Sequence, residues 1–286
     1  MSDKIDFYKD LQPFLTCKDY TVSGELYLVK LNKEFDMLVT TPVPKNLGEY
    51  YKSEDYISHT DAKDSLFDKL YQSIKNITLK KKLKLINSFN LTSKTILDVG
   101  AGTGDFLKVC QNNSWEVFGT EPDLDARTIA INKGINLQEN LAKFSSQKFD
   151  VITLWHVLEH VENLQEYIKS LKELLKVDGK IIVAVPNYKS FDATSYNQFW
   201  AAFDVPRHLW HFSQKSISKL FNKEKMVVEK ILPMKFDSFY VSLLSEKYKH
   251  GKMKPLSAFR KGLQSNLKAK RTGEYSSLIY IIKEAK

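Results

Sequence analysis

The sequence predicts an α/β fold of the doubly wound type, in which helices cover a mostly parallel sheet on both faces. From about residue 90 onward, short segments of continuous apolar character alternate with segments of helical periodicity. Continuous apolar strands indicate burial on both faces, which is typical of a parallel sheet between two helix layers. The first apolar segment also ends in a run of glycines, as a tight strand-to-helix turn requires.

The length and composition exclude several classes of protein. The chain has 286 residues, of which 43% are hydrophobic and 27% charged, so it reads as globular and not as disordered, collagen-like or coiled-coil. Its two cysteines, Cys17 and Cys110, exclude a disulfide framework and fit a reducing compartment. The sequence shows neither a secretion signal nor an apolar run long enough to span a bilayer. We therefore expect a cytoplasmic protein with no membrane span.

The first 60 residues predict a small β-unit, and a helix follows it. Segments 22–31 and 35–44 read as short strands, and the second ends at two prolines. Apolar residues then recur every three or four positions to about residue 89. This spacing predicts an amphipathic linking helix over residues 61–90, with Asp61 as its N-cap. The main domain is expected over residues 91–286.

Strands and helices alternate through the main domain. The helical pattern after the fourth strand runs to Gly179, which is expected to end that helix. A further helix begins after Ser213, its expected N-cap, and a long helical or irregular insert separates the last two strands. The predicted strands are residues 95–100, 115–122, 136–140, 149–157, 180–187, 226–236 and 275–284.

The sharpest feature is the heptapeptide D-V-G-A-G-T-G, which runs from Asp98 to Gly104 at a predicted strand-to-helix turn. Its glycines let the backbone approach a ligand closely, and the helix start behind them offers free N–H groups. An acidic residue, Glu121, closes the following strand, where a carboxylate can accept both hydroxyls of a ribose. The nicotinamide fingerprint G-x-G-x-x-G does not fit, because Asp105 occupies its sixth position.

The G-x-G-x-G turn, with an acid two residues before its first glycine, resembles motif I of the class I S-adenosylmethionine-dependent methyltransferases. The segment F-G-T-E-P-D around Glu121 and the segments of the fourth and fifth strands resemble the same family, in the same order. The loop D-V-P-R-H-L-W-H-F-S, residues 204–213, resembles the ubiquinone-biosynthesis O-methyltransferase-like group. The resemblance covers about residues 90–285.

This resemblance implies a Rossmann-like sheet of seven strands, the last of them antiparallel, and S-adenosylmethionine as the cofactor. It also implies methyl transfer to an O, N or activated C atom of a small molecule, such as a sugar, a quinone or an envelope-polysaccharide precursor. The expected cofactor-binding residues are Asp98, Gly100, Ala101, Gly102, Thr103, Gly104, Glu121, Pro122, Asn140, Leu141, Trp155 and His156.

Four of the six histidines follow the fourth and fifth strands, whose carboxyl ends are expected beside the glycine turn. Aromatic and titratable side chains that converge on such a crevice are typical of a substrate pocket. If the acceptor is a hydroxyl, a base assists its deprotonation. His208 is the first candidate for that base, with Asp204 as its orienting partner, and His156 is the second. The expected pocket residues are Tyr56, His59, His160, Tyr196, Trp200, Arg207 and His211.

Each of these residues has a structural alternative. His160 reads first as a packing or capping residue, and Asp204 and Arg207 can form a structural ion pair. The segment that starts at His156 also spells H-x-x-E-H, a zinc-peptidase pattern that needs both histidines on one helical face. Because His156 is expected to end a strand, we predict no metal site, and a zinc hydrolase is the weaker rival function.

The first 60 residues also resemble a zinc ribbon that has lost its metal. Related methyltransferases carry two C-x-x-C pairs before a T-x-P-x-P stretch, and this chain keeps T-T-P-V-P at residues 40–44. Asn32 and Phe35 stand where the second cysteine pair would fall, and only Cys17 remains upstream. The resemblance therefore implies a metal-free β-unit that covers the active site.

The positive charge is concentrated between the last two predicted strands. The net charge is +9, and residues 247–271 hold nine Lys or Arg and no acidic residue. Apolar residues recur there at spacings of three and four, which predicts a helix whose apolar face packs on the domain. Arg260, Lys261 and Lys268 are expected to face outward. A solvated face, an anionic acceptor, RNA and an anionic membrane stay open as interpretations, and an RNA methyltransferase is the main rival function. We expect RNA binding to be weak and salt-sensitive. The apolar residues are Leu256, Phe259, Leu263 and Leu267.

Overall fold

A computed structural model of the chain describes residues 5–51, 66–89, 91 and 93–285. The expected pocket residues Tyr56 and His59, and the expected N-cap Asp61, lie outside the described residues. The predicted linking helix is present as α1, Leu66–Asn87.

The chain divides into two compact units, and both are built from separate stretches of sequence. The composite unit consists of Met1–Ser53, His156–Tyr167 and Val183–Ala285. The glycine-loop unit consists of Glu54–Trp155 and Ile168–Ile182, with Lys286. The predicted boundaries at residues 60 and 90 differ from these, because the N-terminal strands pack with the C-terminal part of the chain.

The glycine-loop unit contains the first strands of the main sheet. Strand β4, Thr95–Val99, pairs in parallel with β5, Glu116–Thr120, and with β6, Phe149–Trp155. This register places Asp98 opposite both Gly119 and Thr153. The parallel ladders confirm the predicted α/β class. The elements of this unit are β4 Thr95–Val99, α2 Asp105–Gln111, β5 Glu116–Thr120, α3 Leu124–Asn132 and β6 Phe149–Trp155.

The main sheet has six strands and not the predicted seven. Its order is β5-β4-β6-β7-β10-β9, where β7 is Leu175–Pro186, β9 is Met226–Pro233 and β10 is Ser277–Glu284. The strand predicted at residues 136–140 is reduced to one parallel bridge between Thr120 and Gln138. Gln138 makes both backbone bonds of that bridge, to Gly119 at 2.9 Å and from Glu121 at 2.8 Å, and a 3-10 turn then begins at Leu141. The turn ends the pairing before a strand can form.

Helix α4, Leu164–Glu173, ends six residues before the predicted stop at Gly179. The apolar pair Leu174 and Leu175 continues the helical pattern, but the chain uses it for the sheet. The carbonyl oxygen of Leu174 accepts a hydrogen bond from the Phe149 N–H at 2.9 Å, and β7 begins at the next residue. Pairing with a neighbouring chain segment therefore overrides the local periodicity.

The composite unit contains a separate antiparallel sheet in the order β1-β2-β3-β8. Two of its strands match the predicted ones. Strand β1, Gln12–Lys18, was not predicted. Strand β8, Trp210–His211, lies in the loop that was expected to line the pocket, and its Trp210 pairs with Val39 of β3. The bounds are β1 Gln12–Lys18, β2 Leu26–Asn32, β3 Met37–Thr41 and β8 Trp210–His211.

Ordinary side chains hold the turn where the resemblance places a second cysteine pair. The Asn32 side chain donates to the Phe7 carbonyl oxygen at 3.0 Å and accepts from the Phe35 N–H at 3.0 Å. The Phe35 ring is buried and packs edge-on against Phe7, with centroids 5.1 Å apart. These contacts tie the turn to the N-terminal segment.

The last two strands form the predicted antiparallel pair, with Met226 opposite Glu284 and Pro233 opposite Leu278. The insert between them is helical. It consists of α7 Asp237–His250 and α8 Pro255–Thr272. The remaining helices of the composite unit are α5 Phe191–Tyr196 and α6 Gln214–Lys223, and Ser213 caps α6 as predicted.

The predicted burial of the apolar face of α8 is wrong, although Arg260 and Lys268 are exposed as predicted. The apolar residues expected to pack on the domain are exposed: Leu256 by 89%, Phe259 by 60%, Leu263 by 42% and Leu267 by 51%. The buried positions are instead the small residues Ala258, Gly262, Ser265 and Ala269. A close contact between helices has room only for small side chains, so the larger apolar side chains of α8 face solvent. None of the helices in the described residues is both long enough and apolar enough to cross a membrane.

Candidate functional site

The glycine turn after β4 has the backbone conformation that its sequence predicts. Gly100, Gly102 and Gly104 have φ values of 66°, 55° and 76°, in the left-handed region that favours glycine. A Cβ atom at Gly104 would lie 3.1 Å from the Ala130 Cβ, so that glycine also permits close packing. A Cβ at Gly102 would meet nothing within 4 Å, which leaves open space over the middle of the turn.

Glu121, at the end of β5, is tied to this turn. Its carboxylate accepts hydrogen bonds from the Gly102 N–H at 2.8 Å and from the Asp123 N–H at 3.1 Å. Burial raises the pKa of Glu121 against these two backbone donors, which lower it. The Arg127 guanidinium holds the backbone of the same segment, by a bond to the Glu121 carbonyl oxygen at 2.6 Å. The Glu121 carboxylate and the glycine turn are therefore held in a fixed arrangement.

Asp98 is buried at the end of β4, and only 2% of it is exposed. Its carboxylate accepts a hydrogen bond of 2.5 Å from the Thr153 hydroxyl. Burial raises the pKa of Asp98 to about 6, although that bond and the charge of Lys82 act in the opposite direction. This hydrogen bond ties the end of β4 to the neighbouring strand β6.

A lysine that the sequence analysis missed supports the turn from the other side. Lys133 Nζ bonds to the Thr103 carbonyl and hydroxyl oxygens, both at 3.0 Å, and to the Asp105 carboxylate at 2.6 Å. Asp105 also pairs with Lys75 at 2.6 Å. The two lysines hold the pKa of Asp105 below its usual value in spite of its burial. A single lysine near a helix end carries no sequence signal that would have identified this contact.

The other residues expected around the cofactor have varied surroundings. The Trp155 ring packs edge-on against Phe106, at 5.8 Å between centroids, and the Lys82 ammonium lies 4.1 Å from its centre. Its indole N–H is buried and finds no hydrogen-bond acceptor among the described residues. Asn140 caps the 3-10 turn at Leu141 by accepting from the Ala142 N–H at 3.1 Å, and Pro122 is exposed.

In the composite unit, His156 is held between two carboxylates. Its Nδ1 lies 3.2 Å from Glu159 Oε1, and its Nε2 lies 3.0 Å from Asp237 Oδ2. Burial lowers its pKa, but the two hydrogen bonds outweigh burial and raise the pKa to about 10. Since ionised carboxylates only accept hydrogen bonds, both ring nitrogens carry protons, and His156 is an imidazolium at neutral pH.

The Nδ1 atoms of His160 and His208 both face backbone carbonyl oxygens. His208 Nδ1 bonds to the Ala202 carbonyl oxygen at 2.9 Å, and His160 Nδ1 bonds to the Arg207 carbonyl oxygen at 3.1 Å. A carbonyl oxygen cannot donate, so in a neutral His208 ring the proton is on Nδ1 and the lone pair is on Nε2. His160 Nδ1 also lies 3.0 Å from the Tyr51 hydroxyl. Burial and the neighbouring His208 lower the pKa of His160 to about 4.

Glu159 lies at the centre of this cluster and was not among the predicted site residues. It is 1% exposed, and its Oε2 has no hydrogen-bond partner among the described residues. Its Oε1 contacts His156 and lies 4.0 Å from His208 Nε2. Within the described part of the chain, one group of three has ligand atoms within 4.8 Å of one another: Glu159, His160 and His208. A glutamate inside an ordinary-looking E-H dipeptide could be found from sequence only by its place in H-x-x-E-H.

The two histidines of that motif do not converge on one point. His156 lies outside the short 3-10 helix Leu158–His160 and has a φ of 59°. Its ring turns to Asp237, whereas the His160 ring packs against His208 at 4.6 Å between centroids. The shared helical face that a zinc peptidase needs is therefore absent at these residues.

Asp204 is paired with Arg207 and does not orient His208 by a hydrogen bond. Its carboxylate takes both Arg207 Nε, at 2.9 Å, and Nη2, at 2.6 Å, whereas His208 Nε2 lies 3.9 Å away. Arg207 is 2% exposed and also donates to the Tyr50 carbonyl oxygen at 3.1 Å. The structural ion pair that the sequence left open is thus formed, and the Ala202 carbonyl oxygen takes the orienting role.

Three of the expected pocket residues belong to the interior of the composite unit. Tyr196 and Trp200 are 3% and 2% exposed and lie in one hydrophobic cluster with Tyr27, Val29 and Leu38. The Tyr196 hydroxyl donates to Glu246 at 3.0 Å, and the Trp200 indole donates to Asp192 at 2.8 Å. His211 Nε2 bonds to the Thr40 hydroxyl at 3.0 Å, and burial lowers its pKa to about 3. All three side chains are therefore packed inside the composite unit.

Comparison with known proteins agrees with this description of the fold. A model of the family described as "Methyltransferase domain" matches residues 71–225, more than half of the chain. A ubiquinone biosynthesis O-methyltransferase from Serratia proteamaculans is 30% identical over 104 residues, which cover 33% of this chain and 43% of that protein. The corresponding enzyme from Haemophilus ducreyi is 33% identical over 111 residues, 34% of this chain and 47% of that protein.

The chain thus spans about half the length of the curated relatives that it matches. Among solved structures, a magnesium protoporphyrin IX methyltransferase from Synechocystis PCC 6803, with bound SAH, superposes with a TM-score of 0.55 at 14% identity. The match covers 83% of this chain and 97% of that one, and at this identity it supports the fold alone. With the family match, the G-x-G-x-G turn and its acidic partner, the chain belongs to the class I S-adenosylmethionine-dependent methyltransferases.

Proposed function

We propose that this protein transfers a methyl group from S-adenosylmethionine to a hydroxyl oxygen of a small-molecule acceptor. The observation that carries the proposal is the hydrogen-bonded contact between the glycine turn and Glu121, in a chain that belongs to this family. The cofactor supplies a methyl group already activated on a sulfonium. The protein therefore has to bind the two partners in line, and such orientation accounts for about 7–11 kcal/mol of a barrier.

The glycine-loop unit offers groups that fit this cofactor. Glu121 would accept the ribose hydroxyls, and the open space over Gly102 would admit the ligand next to the backbone. The buried Trp155 indole N–H has a free donor to offer. Asp98, Ala101, Thr103, Pro122, Asn140 and Leu141 complete the proposed binding residues.

The histidine cluster suits deprotonation of a hydroxyl. In the neutral His208 ring, Nε2 carries the lone pair, and the carboxylates of Asp204 and Glu159 lie 3.9 and 4.0 Å from it. We therefore propose His208 as the base. His156 already carries both protons and lacks the lone pair for that role, so its proposed role is to hold Glu159.

The proposed acceptors are quinones, sugars and envelope-polysaccharide precursors. The curated relatives are named for ubiquinone biosynthesis, which supports a quinone-type acceptor first. Nothing in the histidine cluster requires the acceptor to be anionic. A cytoplasmic location, as expected from the sequence, stays a prediction.

A direct test uses S-adenosylmethionine labelled in the methyl group, incubated with the full chain and a bacterial small-molecule extract. We expect label in a small organic product, and its mass spectrum identifies the methylated atom. Calorimetry with the cofactor alone separates binding from transfer. Binding of NAD without binding of S-adenosylmethionine would contradict the proposal, and cofactor binding without transfer to any extract would contradict the reaction.

A second candidate for the histidine cluster is a divalent cation that activates the acceptor oxygen. It is favoured by the ligand atoms of Glu159, His160 and His208, which lie within 4.8 Å of one another, and by the unpartnered Glu159 Oε2. Metal analysis of the purified chain and activity with and without a chelator distinguish the two. Proton transfer by His208 requires full activity in the chelator.

RNA methylation remains the other rival, and salt tests it. RNA held by Lys and Arg through its phosphates dissociates steeply as salt rises. We expect no RNA binding that persists at about 0.2 M salt. Methyl transfer from the labelled cofactor to RNA would instead make RNA the substrate.

A further inference from the structure

Helix α8 presents its larger apolar side chains to solvent and its small ones to the protein. This inversion starts with the contact between α8 and α7. A Cβ atom at Gly262 would lie 3.0 Å from both the Cα and the N of Phe239, so the two backbones touch there. The Ser238 hydroxyl donates to the Gly262 carbonyl oxygen at 3.2 Å, and the Asn266 amide donates to Ser238 at 2.9 Å.

Polar contacts fix the inner face of α8. The Ser265 hydroxyl donates to Asp192 at 2.6 Å, and both groups are fully buried. Lys261 bends inward to the Ser195 hydroxyl at 2.6 Å, and Lys268 lies 3.7 Å from the centre of the Phe191 ring. A rotation that buried the apolar side chains would expose these partners. The small and polar residues of α8 therefore face the protein, and its larger apolar side chains face solvent.

The outward face combines apolar and basic side chains. The exposed apolar residues repeat at spacings of three and four, so they form one stripe along the helix. The charged residues of α8 and of the loop before it are all positive, since residues 247–271 contain no acidic residue. We call this surface the α8 face. Its members are Lys252, Met253, Leu256, Phe259, Arg260, Leu263, Leu267, Lys270 and Arg271.

We propose that the α8 face docks this protein on the surface of an anionic lipid bilayer. An interfacial helix of this kind sinks Leu and Phe side chains below the headgroups while Lys and Arg contact the lipid phosphates. The α8 face has both parts, and the helix is too polar to span. This surface goes beyond the proposed methyl transfer and does not depend on it.

The charge pattern argues against the other occupants. A second copy of the chain would bring two all-positive faces together, and like charges repel across such a contact. RNA would use the basic side chains but would leave Leu256 and its neighbours in water. An acidic bilayer surface satisfies both halves of the face at once.

The test is flotation of the full chain with vesicles of phosphatidylglycerol and phosphatidylcholine in equal parts, or of phosphatidylcholine alone. We expect binding to the anionic vesicles and little to the neutral ones. Changing Leu256, Phe259, Leu263 and Leu267 together to Gln keeps the helix propensity and should lower the bound fraction by about ten-fold or more. Changing Lys252, Arg260, Lys270 and Arg271 to Gln should remove the preference for anionic lipid.

A matched control places the same four changes to Gln at apolar residues that are similarly exposed elsewhere: Leu26, Leu28, Ile131 and Val177. This control should bind vesicles as the parent chain does. Circular dichroism checks that all three variants are folded. No binding to anionic vesicles, equal binding to neutral ones, or unchanged binding by the stripe variant would overturn the proposal.

A site-specific probe locates the contact. Because Cys17 and Cys110 are buried, a polarity-sensitive label on a Phe259→Cys variant reacts at one position. Its emission should shift to the blue with anionic vesicles, and a label on Val177→Cys should not shift. If light scattering shows a dimer that the stripe variant abolishes, the face binds a second copy of the chain. If the chain captures RNA but no vesicles, and the stripe variant still captures RNA, the partner is RNA.

Discussion

At the scale of single residues, His156 shows how a strained backbone and a charge held between two carboxylates occur together. It follows β6 directly and has a φ of 59°, which costs free energy for a residue with a Cβ atom. A backbone hydrogen bond from its N–H to the Ala184 carbonyl oxygen, at 2.9 Å, and the two carboxylates on its ring hold it there. Strain of this kind persists where surrounding contacts enforce it, and such positions cluster at functional sites.

Removing the Glu121 carboxylate should weaken binding of S-adenosylmethionine. Glu121→Ala deletes a charged hydrogen-bond acceptor that is worth about 1.5–3 kcal/mol, or roughly 10- to 150-fold in Kd. Isothermal calorimetry measures the change. Glu116→Ala, at the exposed start of the same strand, is the control and should bind as the parent chain does. Equal affinity in the two variants would place the ribose elsewhere.

Removing the His208 imidazole should slow methyl transfer to a hydroxyl without loss of cofactor binding. A base of this kind accelerates proton transfer by about 10²- to 10⁴-fold, so His208→Ala should lower the single-turnover rate by that order. The control is His250→Ala at the end of α7, where the ring pairs with Glu246 at 3.4 Å. An unchanged rate in His208→Ala would leave a mechanism that relies on positioning alone.

At the scale of elements, the contact between helices α7 and α8 depends on one glycine, Gly262. Gly262 lets α8 approach α7 until the backbones touch, and the inward placement of Ser265 and the outward placement of Leu263 both follow from that approach. Helix pairs that meet through small residues gain close packing and hydrogen bonds in place of apolar burial. The amphipathic pattern of α8 therefore predicts the helix but not the direction of its apolar face.

Gly262→Ala should destabilise the composite unit. The added Cβ would meet the Phe239 ring at 2.7 Å and the Phe239 backbone at 3.0 Å, and backbone cannot move aside cheaply. Overpacking of this kind costs about 1–3 kcal/mol, which thermal denaturation detects as a lower Tm. Gly48→Ala is the matched control, because its Cβ would meet nothing within 4 Å. Similar melting of both variants would mean that the helices separate at no cost.

At the scale of the whole molecule, the shifted histidines should give stability a maximum near neutral pH. His156 has a pKa of 6.5 when unfolded and about 10 when folded, so the folded chain binds the extra proton between these values. Its contribution is complete below about pH 6.5 and is lost as the pH rises to about 10. His160 and His211 have folded pKa values of about 4 and about 3, so they oppose folding as the pH falls below 6.5.

Denaturant titrations across pH measure this profile. We expect the free energy of unfolding to decrease on both sides of about pH 6.5, with Asp98 partly offsetting the acid side because its pKa rises from 3.8 to about 6. His156→Gln should flatten the alkaline limb, and His250→Gln should leave it unchanged. A free energy of unfolding that increases steadily from pH 7 to 10 would show that His156 is not held between its two carboxylates.

The sequence by itself determined the features that depend on short stretches of chain. The glycine turn, the acid at the end of the next strand and the buried parallel strands follow from residue types at fixed local spacing, and the antiparallel closing pair follows from the family resemblance. The same spacing identified the family and therefore its cofactor. Local patterns are reliable here because turn conformation and strand burial are decided within a few residues.

Only the tertiary structure decided the features that depend on contacts between distant stretches. The bridge at Gln138 replaced a seventh strand, Leu175 entered a strand in place of a helix, and Glu159 joined three histidines from two loops. The same is true of the outward apolar stripe of α8, which follows from Gly262 meeting Phe239. Each outcome is a competition between a local preference and a long-range hydrogen bond or packing contact, and the sequence contains only the first of the two.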